Sequence, residues 1–236
     1  MNVLIVHAHP EPQSFNAAMT QRAVATLRAA GHDPVVSDLY AMGFDPISDR
    51  RNFTTVADKV ILNIQNEELF AVQHSGFTPL LKAEMDKLVA CDLLIFQFPI
   101  WWLSLPAILK GWVDRVFACG VAYGGGRYFD GGAMRGRRAM CALTLGGGQQ
   151  VYSDQGFYAG LEAVLFPIHH GVFGFAGFDV IEPFAVYGPS RMSDAERADA
   201  LDRYAERLLG LDRARILPMP KTAEYKNGVR IMAGSE

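Results

Sequence analysis

The feature that most restricts this chain is an alternation of short apolar runs with stretches of helical period. Val3 to Val6 and Leu93 to Phe98 are almost wholly apolar, the pattern of strands buried on both faces. After the first run, Ser14 is a good N-cap. Phe15, Met19, Ala23 and Leu27 then fall at steps of four, so a helix reaches about Ala30 and stops at Gly31. Pro34 to Asp38 supplies the next strand, and a β-α-β unit of this kind implies parallel strands with a right-handed crossover. Thr78-Pro79 reads as an N-cap with proline at the first helical position, opening a helix to about Ala90. Helices follow over about Pro106–Phe117 and Gly156–Ile168, with strands at Arg138–Leu145 and Asp179–Val186. Ser193 and Glu196 form a capping box for a last helix to about Leu209. Residues 41–75 show no sustained period and predict a long excursion with short helical pieces, and residues 120–136 a loop or hairpin. Five strands alternating with helices make a doubly wound α/β sheet.

Composition excludes several functional classes. With 236 residues, half of them apolar and 20% charged, the chain can bury one large core. A net charge of −3 gives no basic footprint for nucleic acid or an anionic membrane. Cys91, Cys119 and Cys141 are odd in number and widely spaced, forming neither a disulfide framework nor a zinc pattern. A reducing, cytoplasmic setting is expected. The start, MNVLIVHAHP, lacks a basic n-region and reads as a strand rather than a signal peptide. The uncharged stretch Leu93–Leu109 is shorter than the ~20 residues of a spanning helix and contains two prolines, so no membrane span is expected.

Open parallel sheets bind ligands at the carboxyl ends of their strands. Three segments follow strands directly: His9–Asn16, Pro99–Leu103 and Thr144–Tyr152. The first joins a strand to a helix N-terminus, whose free N–H groups suit an anion; an ordinary capped helix has the same sequence. Neither a GxGxxG fingerprint nor a Walker A loop is present. The second carries Ile100, Trp101, Trp102 and Leu103, aromatic surface suited to covering something flat, packing on a partner subunit or filling a core. The third joins Gly146–Gly148 to Tyr152, where glycines let the backbone approach a ligand closely. His7 with His9, and His169 with His170, lack the further ligands that would complete a metal site, so no metal is expected. No Gly-x-Ser-x-Gly elbow marks a serine nucleophile.

At these residues the sequence resembles the flavin-dependent NAD(P)H:quinone oxidoreductases with a flavodoxin-like fold. The matching blocks are LIVHAHPEPQSFN, SDLYAMGFDPI, DLLIFQFPIWWLSLPAILKGWVDRVF and TLGGGQQVYSDQG. The resemblance covers roughly residues 1–210, leaving 211–236 as an irregular C-terminal tail. It implies a five-stranded parallel sheet of order 2-1-3-4-5 and FAD in preference to FMN. It also implies NAD(P)H as co-substrate and a homodimer with its active site at the interface. Carried over by position, His9, Ser14, Phe15, Asn16, Arg197 and Leu201 belong to the adenosine diphosphate end, with Gln65 a looser match. Pro99, Ile100, Trp101, Trp102 and Leu103 would run along the isoalloxazine. Thr144, Leu145, Gly146 and Gly147 would bond its edge through their backbone. Tyr152 matches the tyrosine of a charge relay, whereas Tyr158 stands where the animal enzymes have the relay histidine. Gly125 replaces a pocket tyrosine, while Tyr123 and Phe175, with Trp102, keep the aromatic substrate walls.

The activity so implied is two-electron reduction of quinones or similar flat acceptors, in a ping-pong cycle where NAD(P)H and acceptor use one place in turn. Tyr158, with a free pKa near ~10, serves there as a hydrogen-bond donor rather than a proton reservoir. Azo dyes and nitroaromatics are alternative acceptors. A passive electron carrier and a regulatory flavoprotein of a membrane transporter are the competing classes; rapid bleaching of the flavin by NAD(P)H would separate a reductase from a carrier.

Overall fold

In β1 (Asn2–His7) every residue after the first is buried, because the strand has helices on both sides. Leu4 and Val6 point into one core, and Val3 and Ile5 into the other. The computed structural model describes residues 1–231. Within them, α1 (Phe15–Ala29), β2 (Asp33–Asp38), α2 (Ile64–His74), α3 (Pro79–Ala90) and β3 (Leu93–Pro99) follow β1. The chain continues through α4 (Ala107–Val116), β4 (Arg138–Leu145), α5 (Leu161–Ile168), β5 (Asp179–Val180), β6 (Phe184–Tyr187) and α6 (Asp194–Leu209). A small hairpin of β7 (Tyr225–Lys226) and β8 (Val229–Arg230) closes it.

The main sheet has the order β2-β1-β3-β4-β5, with β6 also paired to β4 and all pairings parallel. The chain thus has the flavodoxin-like sheet order 2-1-3-4-5. All seven residues of β3 are buried, as its central place demands. Met19, Ala23 and Leu27 of α1 pack with Ala200, Tyr204 and Leu208 of α6 on one face. On the other, α3, α4 and α5 bury Leu81, Met85, Leu88, Leu109, Trp112, Val116 and Leu165. Ser14 caps α1 by accepting the Ala17 N–H, and the Ser193–Glu196 capping box is formed on both sides.

Thr78 takes the N-cap position of α3 and Pro79 its first residue, as expected, although the Thr78 side chain makes no capping bond. Three local expectations need correction. The excursion over 41–75 contains an eleven-residue helix, α2, rather than only short pieces. The helix expected from Gly156 begins at Leu161, and Pro167, which has no N–H to give, stands just before a π-helical segment, His169–Gly174. The fifth strand is two pieces. Pro183 breaks the ladder, and the Glu182 N–H turns instead to the Arg215 carbonyl at 3.0 Å. Residues 215–217 therefore run beside 180–182, with Leu217 N–H on the Val180 carbonyl at 2.7 Å, and cover that edge of the sheet.

Polar contacts hold the aperiodic excursion in place. Arg115 on α4 donates to Asn52 Oδ1 at 2.7 Å and to the Asp45 carbonyl, and Glu67 accepts the Ala57 and Asp58 N–H groups. Gly111 allows the close approach: a Cβ there would lie 2.3 Å from the Pro46 carbonyl oxygen. No helix among the described residues is long and apolar enough to cross a membrane.

Candidate active site

The loops after β1, β3 and β4 meet at one rim of the sheet. After β1, His9 Nδ1 accepts the Glu11 N–H at 3.0 Å and Glu11 accepts the Gln13 N–H at 2.8 Å, so the loop turns tightly into Ser14. The backbone N–H groups of Phe15 and Asn16 have no partner among the described residues and end the helix as free donors. His9, Ser14, Phe15, Asn16 and Thr144 line a cavity of about 710 Å³ whose far wall includes Ser190, Asp194, Arg197 and Leu201. Arg197 is anchored by the Met192 carbonyl at 2.6 Å and pairs with Asp194.

The Asn16 side chain is committed to protein partners. Its Nδ2 donates to Thr144 Oγ1 at 2.6 Å and its Oδ1 accepts from Gln97 Nε2 at 2.9 Å. A buried amide relay therefore pins the start of α1 to β3 and β4, and Asn16 offers the cavity its backbone. The sequence reading had Asn16 but not Gln97; the one polar residue in the apolar run Leu93–Phe98 was the signal.

Beyond Pro99, the Ile100 N–H reaches the Thr144 carbonyl at 2.9 Å, tying this loop to the next. Trp101 and Ser104 exchange backbone hydrogen bonds at 3.2 and 3.0 Å across a two-residue turn. Trp102 and Leu103 both take positive φ, 49° and 56°, as a type I′ turn requires. Such backbone in non-glycine residues costs on the order of 1–3 kcal/mol each. The turn holds Trp102 fully exposed, and Trp101, facing His9 at 6.2 Å between ring centroids, half out. An indole projected into water at a conformational cost is a surface built for contact.

After β4, a Cβ on Gly147 would lie 2.6 Å from the Val151 methyl and 3.1 Å from the Tyr152 ring. Glycine there lets the loop close on Tyr152, which is 8% exposed and packs 4.9 Å from Tyr158. Burial, reinforced by Tyr158, raises the Tyr152 pKa, so it is a neutral phenol and a donor at pH 7. Tyr187 completes the group at 5.9 Å from Tyr152. It was missed in the sequence, although its place opposite Leu145 at the end of β6 puts it on the same rim. His7 lies behind, its ring bonded to Thr20 Oγ1 at 2.9 Å, and burial lowers its pKa.

The remaining residues gather elsewhere. Tyr123 and Phe175, 6.1 Å apart and tilted by 54°, line a second cavity of about 270 Å³ with no lining residue in common with the first. Gln65 donates to the Tyr123 hydroxyl at 3.3 Å, Gly125 holds φ 62°, and Tyr128 stacks on Phe175. The sequence-derived residues thus fall into two sets within one chain.

Sheet order, a helix start with free N–H groups and a glycine loop at the strand ends are the marks of a flavodoxin-like fold. Residues 1–208 match the family of the flavodoxin-like fold, and the chain belongs to it. It is 35% identical over 227 residues to the human ribosyldihydronicotinamide dehydrogenase (quinone), covering 96% of this chain and 97% of that one. It is 39% identical over 206 residues to NAD(P)H dehydrogenase (quinone) 1 of Cavia porcellus, covering 87% and 75%. Among solved structures, a Klebsiella pneumoniae protein named as a candidate quinone reductase is 37% identical, with a TM-score of 0.89 over 92% of this chain and 87% of that one.

Proposed function

We propose that this chain is an NAD(P)H-dependent quinone oxidoreductase that holds FAD across the three loops of the rim. The observation that carries the reading is the 710 Å³ cavity, which runs from the free N–H groups of α1 to Arg197 and Leu201 and so has room for an adenosine beyond the phosphates. Free donors at the helix start suit the diphosphate. Gly146 has open space where a Cβ would stand, so the Thr144–Gly147 backbone can approach a flat ring edge. Bound there, the flavin supplies the hydride exchange that no side chain performs.

The side chains orient and stabilise. Trp101 and Trp102 present flat apolar surface that would lie along a bound flavin, and the 144–147 backbone would donate to it where negative charge develops. Tyr152, a neutral donor with no hydrogen-bond partner among the described residues, has its hydroxyl free for that edge. Tyr158 stands beside it as a second donor. Tyr158→Phe is expected to lower quinone turnover about tenfold, on the scale of one charge-assisted hydrogen bond. Unchanged steady-state turnover in that variant would remove Tyr158 from the mechanism.

The walls formed by Tyr123 and Phe175 line a different cavity, and Trp102 lies bare. Both features are accounted for by a homodimer in which one copy's aromatic walls face the other's flavin. Cys91, Cys119 and Cys141 are free buried thiols, which suits a reducing cytoplasm. The test is direct: denature the purified protein, identify the released flavin, and titrate the holoprotein with NADH and NADPH. One FAD per chain with rapid bleaching is the expected result. Protein that takes up neither FAD nor FMN overturns the reading.

A further inference from the structure

The second cavity contains a group that the reduction of a plain quinone does not use. Glu68, on the buried side of α2, is 3% exposed, yet it lines this cavity with Ile64, Val113, Tyr123, Val172 and Phe175. One carboxylate oxygen, Oε2, accepts the Cys119 N–H at 2.7 Å. The other has no partner among the described residues and is not among the polar atoms sealed from solvent, so it faces the cavity. A buried carboxylate is normally matched by a cation or by several donors. Here the lining residues include no Lys, Arg or His, and Tyr123 carries their one side-chain donor. The other acid, Asp114 on α4, is paired at the surface with Lys110 at 2.6 Å. Two aromatic faces complete the walls, and such faces attract cations.

We propose that this cavity is a specificity subsite for a protonated amine carried on an arm of the flat acceptor, with Glu68 as its counter-ion and the Tyr123 and Phe175 rings as its walls. The inference rests on the quinone reductase reading, since Tyr123 and Phe175 are the acceptor walls proposed above. The cavity, at about 270 Å³, has room for a short aliphatic arm and its terminal ammonium. Its chemistry rejects a carboxylate or phosphate terminus, which would meet Glu68 with no cation to balance it.

Burial pushes the Glu68 carboxyl up to about 7, so the ion pair is best tested at pH 8. The titratable groups facing it are the Cys119 thiol and the Tyr123 hydroxyl, both raised by burial and neutral at that pH, and the Lys110-paired Asp114. The experiment uses the flavin-loaded enzyme and three acceptors built on 1,4-naphthoquinone. One has no arm, one an arm ending in trimethylammonium, and one the same arm ending in the neutral tert-butyl group of equal shape. In the unaltered enzyme, kcat/KM for the ammonium compound is expected to exceed that for its neutral isostere at least tenfold. In Glu68→Gln that ratio falls to within about twofold of one. Equal values for the two arms in the unaltered enzyme overturn the proposal, as does a preference that survives Glu68→Gln.

Direct binding of the same compounds to the oxidised holoprotein, followed by calorimetry without NAD(P)H, separates the two readings. Glu68-dependent binding of the ammonium arm without turnover of any quinone supports the subsite and ends the reductase assignment. Turnover of all three with no charge preference in binding does the reverse.

Discussion

Asn16→Leu is expected to destabilise the protein by about 3 kcal/mol and to abolish retention of the flavin. Leucine matches asparagine in shape, so packing is kept and the two hydrogen bonds alone are lost. Gln97 Nε2 would be left with only a weak 3.6 Å contact to the Met19 sulfur, and its Oε1 is already without a partner. Thr144 Oγ1 would lose its 2.6 Å donor. Each stranded buried polar group costs about 1–3 kcal/mol, which sets the sum. The flavin is lost because the same amide fixes the start of α1 against β4, and with it the free N–H groups of Phe15 and Asn16. Urea denaturation measures the first effect and absorbance of the desalted protein the second. The decisive control is Asn16→Leu combined with Gln97→Leu. Because both partners of one bond are then apolar, the pair should cost clearly less than the sum of the singles. Strict additivity would show that the relay carries no coupled energy.

The relay also illustrates which parts of the molecule a sequence can disclose. The alternation of strands and helices, the capped first helix and the three rim loops were legible because each depends on local pattern: apolar runs, Ser14, the glycines after β4. The strand order came only through the family resemblance. The features that were not legible depend on residues far apart. Helix α2 has a weakly apolar face and is held by Glu67 bonding backbone at 57–58, while Arg115 ties the loop before it through Asn52 and Asp45, and none of these leaves a periodic trace. The helix before His169 began late because Gly160 adopts φ 84° at its start. Asn16 was visible as a candidate site residue, but only the folded sheet shows that its side chain bonds Gln97 and Thr144. Glu68 was invisible for the same reason. Its burial comes from Cys119 and from the 171–176 segment, so nothing adjacent to it in sequence marks it as unusual.

That burial gives the second large effect, a pH dependence of stability centred on one carboxyl. Glu68 has its pKa raised from 4.5 to about 7, chiefly by burial and opposed by the Cys119 N–H. A carboxyl raised in the folded state binds its proton more tightly there than in the unfolded chain. Its contribution is therefore fully present below pH 4.5, declines as pH rises, and is lost above about 7. A shift of that size corresponds to about 3 kcal/mol, an upper figure because the free oxygen meets the cavity and its water. Glu68→Gln keeps an oxygen for the Cys119 N–H and cannot ionise. Relative to the unaltered protein, it is expected to be more stable at pH 8 by up to about 3 kcal/mol and no more stable at pH 4.5. Asp114, paired with Lys110, and the neutral Cys119 and Tyr123 are common to both proteins, so the difference between their stability curves isolates Glu68. Parallel urea midpoints from pH 4.5 to 8 would mean that Glu68 ionises as freely as a surface carboxylate. A divergence would show a charge kept at a cost to the folded state, as expected of a group held for a ligand rather than for the fold.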